Sequence, residues 1–93
     1  MTSRIVYSRR AAAETEEIEA FIAEHSPSAA ERFRQSLNRA EQRLEQFPDA
    51  GAPGTRPGPR RLVVGNYIVS YRRRGGAVEI FAVRDARRRD ARF

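Results

Sequence analysis

The sequence contains no cysteine and no lysine, and it has a single histidine, His25. Without cysteine there is no disulfide framework, no thiolate zinc site and no thiol nucleophile. One histidine with no cysteine beside it cannot build a histidine-based metal cluster. We therefore expect no metal and no cofactor.

Long apolar runs are also lacking. No segment approaches the roughly 20 apolar residues of a membrane-spanning helix, and residues 1–7 lack the apolar stretch of a secretory signal peptide. A chain of 93 residues is expected to form one domain, residues 1–93, with a single modest core. We therefore expect a cytoplasmic protein with no membrane partner and no deep small-molecule site.

The charge comes from arginine alone: 18 arginines against 12 acidic residues give a net charge of +6. Residues 1–13 carry +3, residues 14–49 carry −5, and residues 50–93 carry +8. Arginine binds phosphate or carboxylate with two parallel hydrogen bonds and does not lose its charge. The second half of the chain therefore favours an anionic partner, although a solvated arginine-rich surface explains the charge equally well.

The first 25 residues predict a strand followed by a helix. Residues 4–7 form a β-branched and aromatic run that is typical of a strand. Ser8 is a candidate N-cap for a helix over residues 9–24, whose apolar positions recur at helical spacing. His25 follows at the helix C-terminus, where its charged form is favoured, so we expect it to cap the helix rather than to act as a base.

A second helix is predicted from Pro27 to Pro48. Ser26 provides its N-cap, and Pro27 suits the first helical turn. Its apolar positions follow one another at spacings of three and four residues, as on one face of a helix. They are Ala30, Phe33, Leu37, Ala40, Leu44 and Phe47. Because the link between the helices is so short, we expect an antiparallel helical hairpin packed on a sheet.

The second half of the chain predicts strands. Residues 48–59 are rich in proline and glycine and indicate a loop. Strand-like runs follow at residues 61–65, 67–73 and 77–84, joined by turns at Gly65-Asn66 and Gly75-Gly76, and a basic tail occupies residues 85–93. The order β-α-α-β-β-β defines an α+β domain in which the helical hairpin lies on an antiparallel sheet.

Few side chains in these elements are suited to catalysis. The acidic residues of the first helix are scattered by helical spacing, and we expect a solvated face. They are Glu14, Glu16, Glu17, Glu19 and Glu24. Tyr7, Tyr67 and Tyr71 could stack on bases, but their positions within strands favour packing in or beside the core. Arginine binds anions well but is a poor proton-transfer group, so no catalytic residue is predicted.

Several short stretches stand at characteristic positions relative to these elements. They are Val6-Tyr7-Ser8, Ser26-Pro27-Ser28-Ala29-Ala30, Phe47-Pro48 with Gly51, Arg61-Leu62-Val63-Val64-Gly65-Asn66-Tyr67, Tyr71, and Val78 to Val83. In order and spacing, from about residue 4 to residue 88, they resemble the RelE/ParE superfamily of type II toxin–antitoxin toxins. The resemblance implies the fold already predicted. It also implies one of two activities, because RelE-like members cut mRNA on the ribosome and ParE-like members poison DNA gyrase.

The residues favour the ParE-like branch. The RelE pattern has an arginine directly after the first tyrosine of a Tyr-Arg-Leu-Val-Tyr segment, and Ile68 stands there in this chain. The lysines of that pattern have no counterpart, and Arg92 and Phe93 occupy the region of its late tyrosine. The histidine that often follows the last strand in ParE-like sequences is also missing, since this chain has Val83-Arg84-Asp85. We expect a gyrase-inhibiting binding protein rather than a nuclease; the alternative is a ribosome-dependent mRNA interferase.

The resemblance also implies a ParD-like antitoxin that wraps the toxin in a hetero-oligomer with two or more of each chain. We expect its apolar residues to lie in a groove beside the second helix and its acidic residues to pair with strand and tail arginines. The predicted antitoxin-binding residues are Phe33, Leu37, Leu44, Arg61, Tyr67, Arg72 and Arg84. Arg56, Arg60, Arg87 and Arg88 are predicted to bind the cellular target, DNA gyrase. A third hypothesis is direct nucleic-acid binding by the tail arginines.

Overall fold

The computed structural model describes residues 2–88, which form two helices and one five-stranded sheet. In chain order the elements are β1 (Arg4–Tyr7), α1 (Arg9–His25), α2 (Pro27–Gln46), β2 (Ala52–Pro53), β3 (Arg60–Val64), β4 (Tyr67–Arg74) and β5 (Ala77–Asp85). The predicted α+β class is confirmed, and so is the predicted order of elements apart from the additional two-residue strand β2. The predicted basic tail, residues 85–93, lies partly within the described residues, and residues 89–93 lie outside them. Within residues 2–88, neither helix is long and apolar enough to span a bilayer.

Both helices begin where the sequence predicts. The Ser8 hydroxyl accepts a hydrogen bond from the Ala11 N–H at 3.1 Å, and the Ser26 hydroxyl accepts one from the Ala29 N–H at 3.1 Å. Each bond satisfies one of the N–H groups that the first turn of a helix leaves without a partner. Ser26 also ends α1, because its own N–H bonds to the carbonyl of Ile22. One residue therefore separates the two helices, which fixes the hairpin.

The sheet differs from the prediction in two respects. Its order is β1-β5-β4-β3-β2, and β1 lies parallel to β5 rather than antiparallel. The helical hairpin connects β1, at one edge of the sheet, to β2, at the opposite edge. Because no tight turn joins β1 to β5, the two strands can run in the same direction. In addition, the predicted loop 48–59 contains β2, a two-residue strand that pairs with β3.

The core lies between the sheet and the helical hairpin. The buried face of α2 is formed by Ala30, Phe33, Leu37, Ala40 and Leu44, as the periodicity predicts. On the sheet it meets Val64, Val69, Tyr71, Val78, Ile80 and Val83. Phe47, the last member of the predicted apolar stripe, is instead exposed. Tyr71 lies in the core and Tyr7 and Tyr67 lie at its margin, so the predicted packing of the tyrosines is confirmed.

A bulge in β5 changes which residues share a face. Tyr71 pairs with Ile80, but its neighbour Ser70 pairs with Ala82, so Phe81 is the extra residue. Beyond Phe81 the side chains of β5 therefore do not follow the strict alternation of a regular strand. Val83, and not Ala82, continues the core face of Ile80. One inserted residue in one strand moves the following side chains to the opposite face.

Candidate functional site

The loop between α2 and β3 is held to the sheet by two side chains. The Tyr71 hydroxyl accepts a buried hydrogen bond from the Gly51 N–H at 2.8 Å. The Arg60 guanidinium donates to the carbonyls of Gly51 at 2.8 Å and Asp49 at 3.3 Å, and its Nε lies 3.6 Å from the Asp49 carboxylate. These contacts fix the start of the loop, so the residues that follow form a defined wall.

A basic groove of about 1040 Å³ lies between this loop and β4. Its lining comes from residues 53–60 on one side and from the second half of β4 on the other. Four arginines and one acidic residue line it: Arg56, Arg60, Arg72, Arg73 and Asp49. We call the space that these five residues line the basic groove. An arrangement of this kind attracts anions, because several guanidinium groups face one shared space.

The four arginines of the basic groove are not equally available. Arg60 is engaged with the carbonyls and the carboxylate of the loop. Arg72 pairs with Glu79 at 3.0 Å, and its guanidinium lies 5.4 Å from the centre of the Phe81 ring. Within residues 2–88, Arg56 and Arg73 have neither a hydrogen-bond partner nor an ion-pair partner, and both are exposed. Of the four arginines, these two can bind an external anion without first giving up a hydrogen bond or ion pair to the described residues.

A second surface centres on Tyr67, at the start of β4. The Tyr67 ring packs edge-on against Phe33 with 5.2 Å between ring centres, and burial raises the pKa of its hydroxyl. On one side of Tyr67 a depression of about 370 Å³ is lined by Ile22, Ala29, Phe33, Val64 and Arg32, among others. On the other side a depression of about 240 Å³ includes Ile18, Phe21, Arg87 and Arg88. We call the two together the Tyr67 groove.

The Tyr67 groove combines apolar walls with a charged rim, in which arginines stand beside the acidic residues Glu14, Glu17 and Asp85. Phe21 is 63% exposed although it is a large apolar residue. Arg32 lines one depression, and Arg87 and Arg88 line the other. Arg87 also holds the Asp85 carboxylate at 2.6 Å and, with its backbone N–H, lowers the pKa of Asp85 to about 2. A segment with apolar and acidic residues suits such a surface.

The predicted antitoxin-binding residues do not share one surface. Phe33 and Tyr67 lie together in the Tyr67 groove, whereas Leu37 and Leu44 are fully buried between α2 and the sheet. Arg72 lies in the basic groove. Arg61 is partly exposed on β3, paired across the ladder with Ser70. The structure thus brings three of the seven residues, Phe33, Tyr67 and Arg84, to the Tyr67 groove and places two leucines in the core.

Arg84 is a structural residue in this chain. Its side chain is only 2% exposed, and its Nε donates to Glu14 Oε2 at 3.2 Å. Glu14 Oε1 also accepts the backbone N–H of Val83 at 3.0 Å. Because β1 ends at Tyr7, opposite Ile80, this carboxylate satisfies an N–H of β5 beyond the end of β1. The expectation that Glu14 lies on a solvated face is therefore wrong.

Further polar contacts tie the two helices to each other and to β1. The Arg34 guanidinium on α2 holds both oxygens of Glu19 on α1, at 2.7 and 3.1 Å, and lowers the pKa of that carboxyl. Glu19 is thus a second acidic residue of α1 that is engaged rather than free. The Tyr7 hydroxyl donates to Glu41 at 2.7 Å, and burial together with this bond raises the pKa of Tyr7. His25 contacts the carbonyl of Phe21 at 3.2 Å, which agrees with the predicted cap.

The predicted target-binding arginines form two separate groups. Arg56 and Arg60 line the basic groove, whereas Arg87 and Arg88 line the Tyr67 groove. Arg60 pairs with Tyr71, and Asp85 pairs with Tyr67 on the other side of β4. At roughly 3.3 Å per residue, the backbone positions of Tyr67 and Tyr71 on β4 lie about 13 Å apart, so the two groups stand at different places along the strand. Within residues 2–88, no group of three His, Asp or Glu side chains could hold a metal ion.

Comparisons with known proteins agree with this architecture. The profile of the family described as "ParE toxin of type II toxin-antitoxin system, parDE" matches residues 5–90. "Toxin RelE2" of Caulobacter vibrioides is 31% identical over 86 residues, which cover 92% of this chain and 98% of that protein. The solved structure titled "Chromosomal ParDE TA system from P. aeruginosa" superimposes with a TM-score of 0.76 at 22% identity, over 90% of this chain and 96% of that chain.

The fold is therefore that of the RelE/ParE toxins, a helical hairpin on a mostly antiparallel sheet. The chain belongs to the ParE toxin family of type II toxin–antitoxin systems. The predicted membership of the RelE/ParE superfamily, with the ParE-like branch favoured, is confirmed.

Proposed function

We propose that this toxin inhibits DNA gyrase and is neutralised by a ParD-like antitoxin that binds the Tyr67 groove. Membership of the ParE family supports an antitoxin partner, and the similar fold from P. aeruginosa belongs to a system titled ParDE. Arg32 and Arg88, which line the groove, support acidic residues in the partner segment. The complex is expected to be a hetero-oligomer with two or more of each chain, which a mass measurement of the purified complex would establish.

The single observation that carries the choice of gyrase is Ile68. This residue stands where the RelE pattern has an arginine, and it is fully buried in β4. An aliphatic side chain in that place can neither contact a phosphate nor stabilise the charge that develops during its cleavage. Its neighbours in the sheet, Val63 on β3 and Arg84 on β5, do not replace that group. Val63 is apolar, and Arg84 is buried against Glu14.

Antitoxin binding is assigned to the Tyr67 groove for three reasons. Phe21 is largely exposed there, Phe33 and Tyr67 provide a fixed aromatic pair, and three arginines surround them. A few residues, most often Trp, Tyr and Arg, supply most of the binding energy in protein interfaces. The surrounding arginines accelerate association with an acidic segment and select for it.

The strand arginines predicted to pair with the antitoxin, Arg61 and Arg72, lie outside the Tyr67 groove. If the antitoxin wraps the sheet as well as the hairpin, the double variant Arg61→Glu/Arg72→Glu binds it more weakly, and the loss grows at low salt. Unchanged binding would show that the antitoxin does not reach these strands. The Tyr67 groove is tested separately, by Phe21 variants.

Expression in cells tests the choice of target. The chain is induced without antitoxin, and plasmid topology and transcript ends are followed together. Gyrase inhibition predicts that plasmids lose negative supercoiling before any new transcript ends appear, and that co-expressed antitoxin prevents the change. Early cuts in translated transcripts, with plasmid topology unchanged, would identify an mRNA interferase instead.

A further inference from the structure

We propose that the basic groove binds the phosphodiester backbone of a nucleic-acid duplex through Arg56 and Arg73. The groove is distinct from the Tyr67 groove, and the inference does not depend on the target of the toxin. Its two outward-facing arginines have no ion-pair or hydrogen-bond partner within residues 2–88, and both are exposed. Two exposed guanidinium groups that line one open groove are suited to contacts with phosphates.

The wall of the groove is preorganised. Arg60 and Tyr71 secure the loop at Gly51, and Gly54 N–H bonds to the carbonyl of Pro59 at 2.8 Å. Arg56 lies between these two anchored ends of the loop. A guanidinium held on an ordered loop loses less conformational entropy when it binds than one on a disordered tail.

An acidic peptide fits the groove less well than a phosphate backbone. A peptide that adds to a sheet needs a row of free backbone groups, and the edge strand β2 has two residues, one of which is Pro53. Proline has no N–H to donate to an added strand. Pro57 and Pro59 on the same wall remove further donors. The groove therefore offers charge without the main-chain hydrogen bonds that peptide recognition at a sheet edge uses.

A duplex is favoured over a single strand because bases find nothing to stack on. Proteins that bind single strands place bases on exposed aromatic rings. Among the residues that line the groove in the described chain, Tyr71 is the only aromatic, and it is fully buried with its hydroxyl bonded to Gly51. Contact with the phosphate backbone of a duplex needs only guanidinium groups, and it does not depend on the base sequence.

The test is a salt titration with the full-length chain and short fluorescent DNA and RNA duplexes, followed by anisotropy. The variant Arg56→Gln/Arg73→Gln is compared with Arg9→Gln/Arg39→Gln, which removes the same charge from two exposed helical positions outside both grooves. Since each lost phosphate contact lowers the slope of log K against log salt by about 0.9, the groove variant is expected to lose about 2 units of slope. We also expect it to bind roughly 10-fold more weakly at low salt. The control is expected to change little.

Each outcome decides the proposal. Selective loss in the groove variant supports it, and the DNA and RNA arms show which duplex is preferred. Equal losses in both double variants would overturn it, because the affinity would then reflect net charge. No binding by the unmodified chain at low salt would also overturn it. Equal competition by polyglutamate would refute the assignment to phosphate, and thermal unfolding of each variant shows whether any loss reflects misfolding.

Discussion

The backbone N–H of Gly51 donates a buried hydrogen bond of 2.8 Å to the hydroxyl of Tyr71. The two residues are 20 positions apart, and their contact fixes the loop that forms one wall of the basic groove. The space around Gly51 is full, since a Cβ there would lie 2.6 Å from the carbonyl oxygen of Arg61 and 2.8 Å from the Tyr71 ring. Position 51 therefore requires glycine because its neighbours leave no room for a Cβ atom, and not because of its backbone angles.

Gly51→Ala is expected to destabilise the protein by about 1–3 kcal/mol, because the added methyl forces the loop and β3 apart. Tyr71→Phe is expected to cost a similar amount, about 1–3 kcal/mol, since it leaves the buried Gly51 N–H without an acceptor. Urea unfolding followed by circular dichroism measures both. Gly58→Ala is the control for the effect of crowding at Gly51. A Cβ at Gly58 would have nothing within 4 Å, so any cost there comes from its positive φ. Equal stability of Gly51→Ala and the unmodified chain would contradict the account.

Glu14→Ala is expected to destabilise the fold by about 2–3 kcal/mol, because it removes the acceptor of the Val83 N–H and a partner of the buried Arg84 charge. Glu14→Gln retains an acceptor for Val83 and is expected to cost less. Glu17 lies on the same helix and is exposed, so Glu17→Ala is the matched control, expected within about 0.5 kcal/mol of the unmodified chain. Equal stability of the two alanine variants in urea titrations would show that Glu14 is only a surface residue.

Alkaline pH is expected to unfold the protein from about pH 10 upward. The pKa values of Tyr7, Tyr67 and Tyr71 are all raised in the folded state, in each case chiefly by burial. Above the ordinary pKa of tyrosine the unfolded chain therefore binds fewer protons than the folded chain, and stability falls as pH rises. Below that pH the tyrosines contribute no pH dependence. As the pH rises, the tyrosinate absorbance of the folded chain should increase at higher pH than that of the urea-unfolded chain. If the two titration curves coincided, they would contradict the burial of these rings.

Phe21 and Phe47 form a matched pair that tests the proposed antitoxin surface, since their side chains are 63% and 62% exposed. Phe21 lines the Tyr67 groove, and Phe47 lies at the C-terminal end of α2. Phe21→Ala is expected to weaken antitoxin binding about 10-fold or more, as loss of an aromatic anchor does. Phe47→Ala is expected to change it less than about 3-fold, as most interface-distant changes do. Calorimetric titration of each variant with the cognate antitoxin measures both affinities. Equal losses of affinity in the two variants would show that the antitoxin does not bind through the Tyr67 groove.

The parts of the fold that local signals encode could be predicted from the sequence. Ser26 next to Pro27 marks the break between the helices, and Gly65 and Gly75 adopt the positive φ values, 60° and 61°, that their turns require. The periodicity of α2 also predicts its buried face correctly. Each of these features depends on residues that are close together in the sequence, so composition and spacing are sufficient to predict it.

The features that were missed all depend on contacts between distant segments. The parallel pairing of β1 with β5, the bulge at Phe81 and the partnership of Glu14 with Arg84 join residues far apart in sequence. An arginine in an alternating strand has the same pattern whether it is buried or exposed. For this reason the sequence grouped Arg84 with the surface arginines, although a carboxylate on α1 allows it to be buried. The sequence predicted a groove beside the second helix, but it did not predict that Phe21 of α1 completes the Tyr67 groove, and it did not predict the basic groove, because each groove is assembled from separate elements.

The most direct test of the proposed function is a gyrase supercoiling assay with the purified chain, run beside a ribosome-dependent mRNA cleavage assay. Gyrase inhibition predicts that increasing toxin abolishes supercoiling of a relaxed plasmid, leaves mRNA intact, and loses its effect when the ParD-like antitoxin is added first. Unimpaired supercoiling together with cleaved mRNA would contradict it, and would place this member of the ParE family among the mRNA interferases.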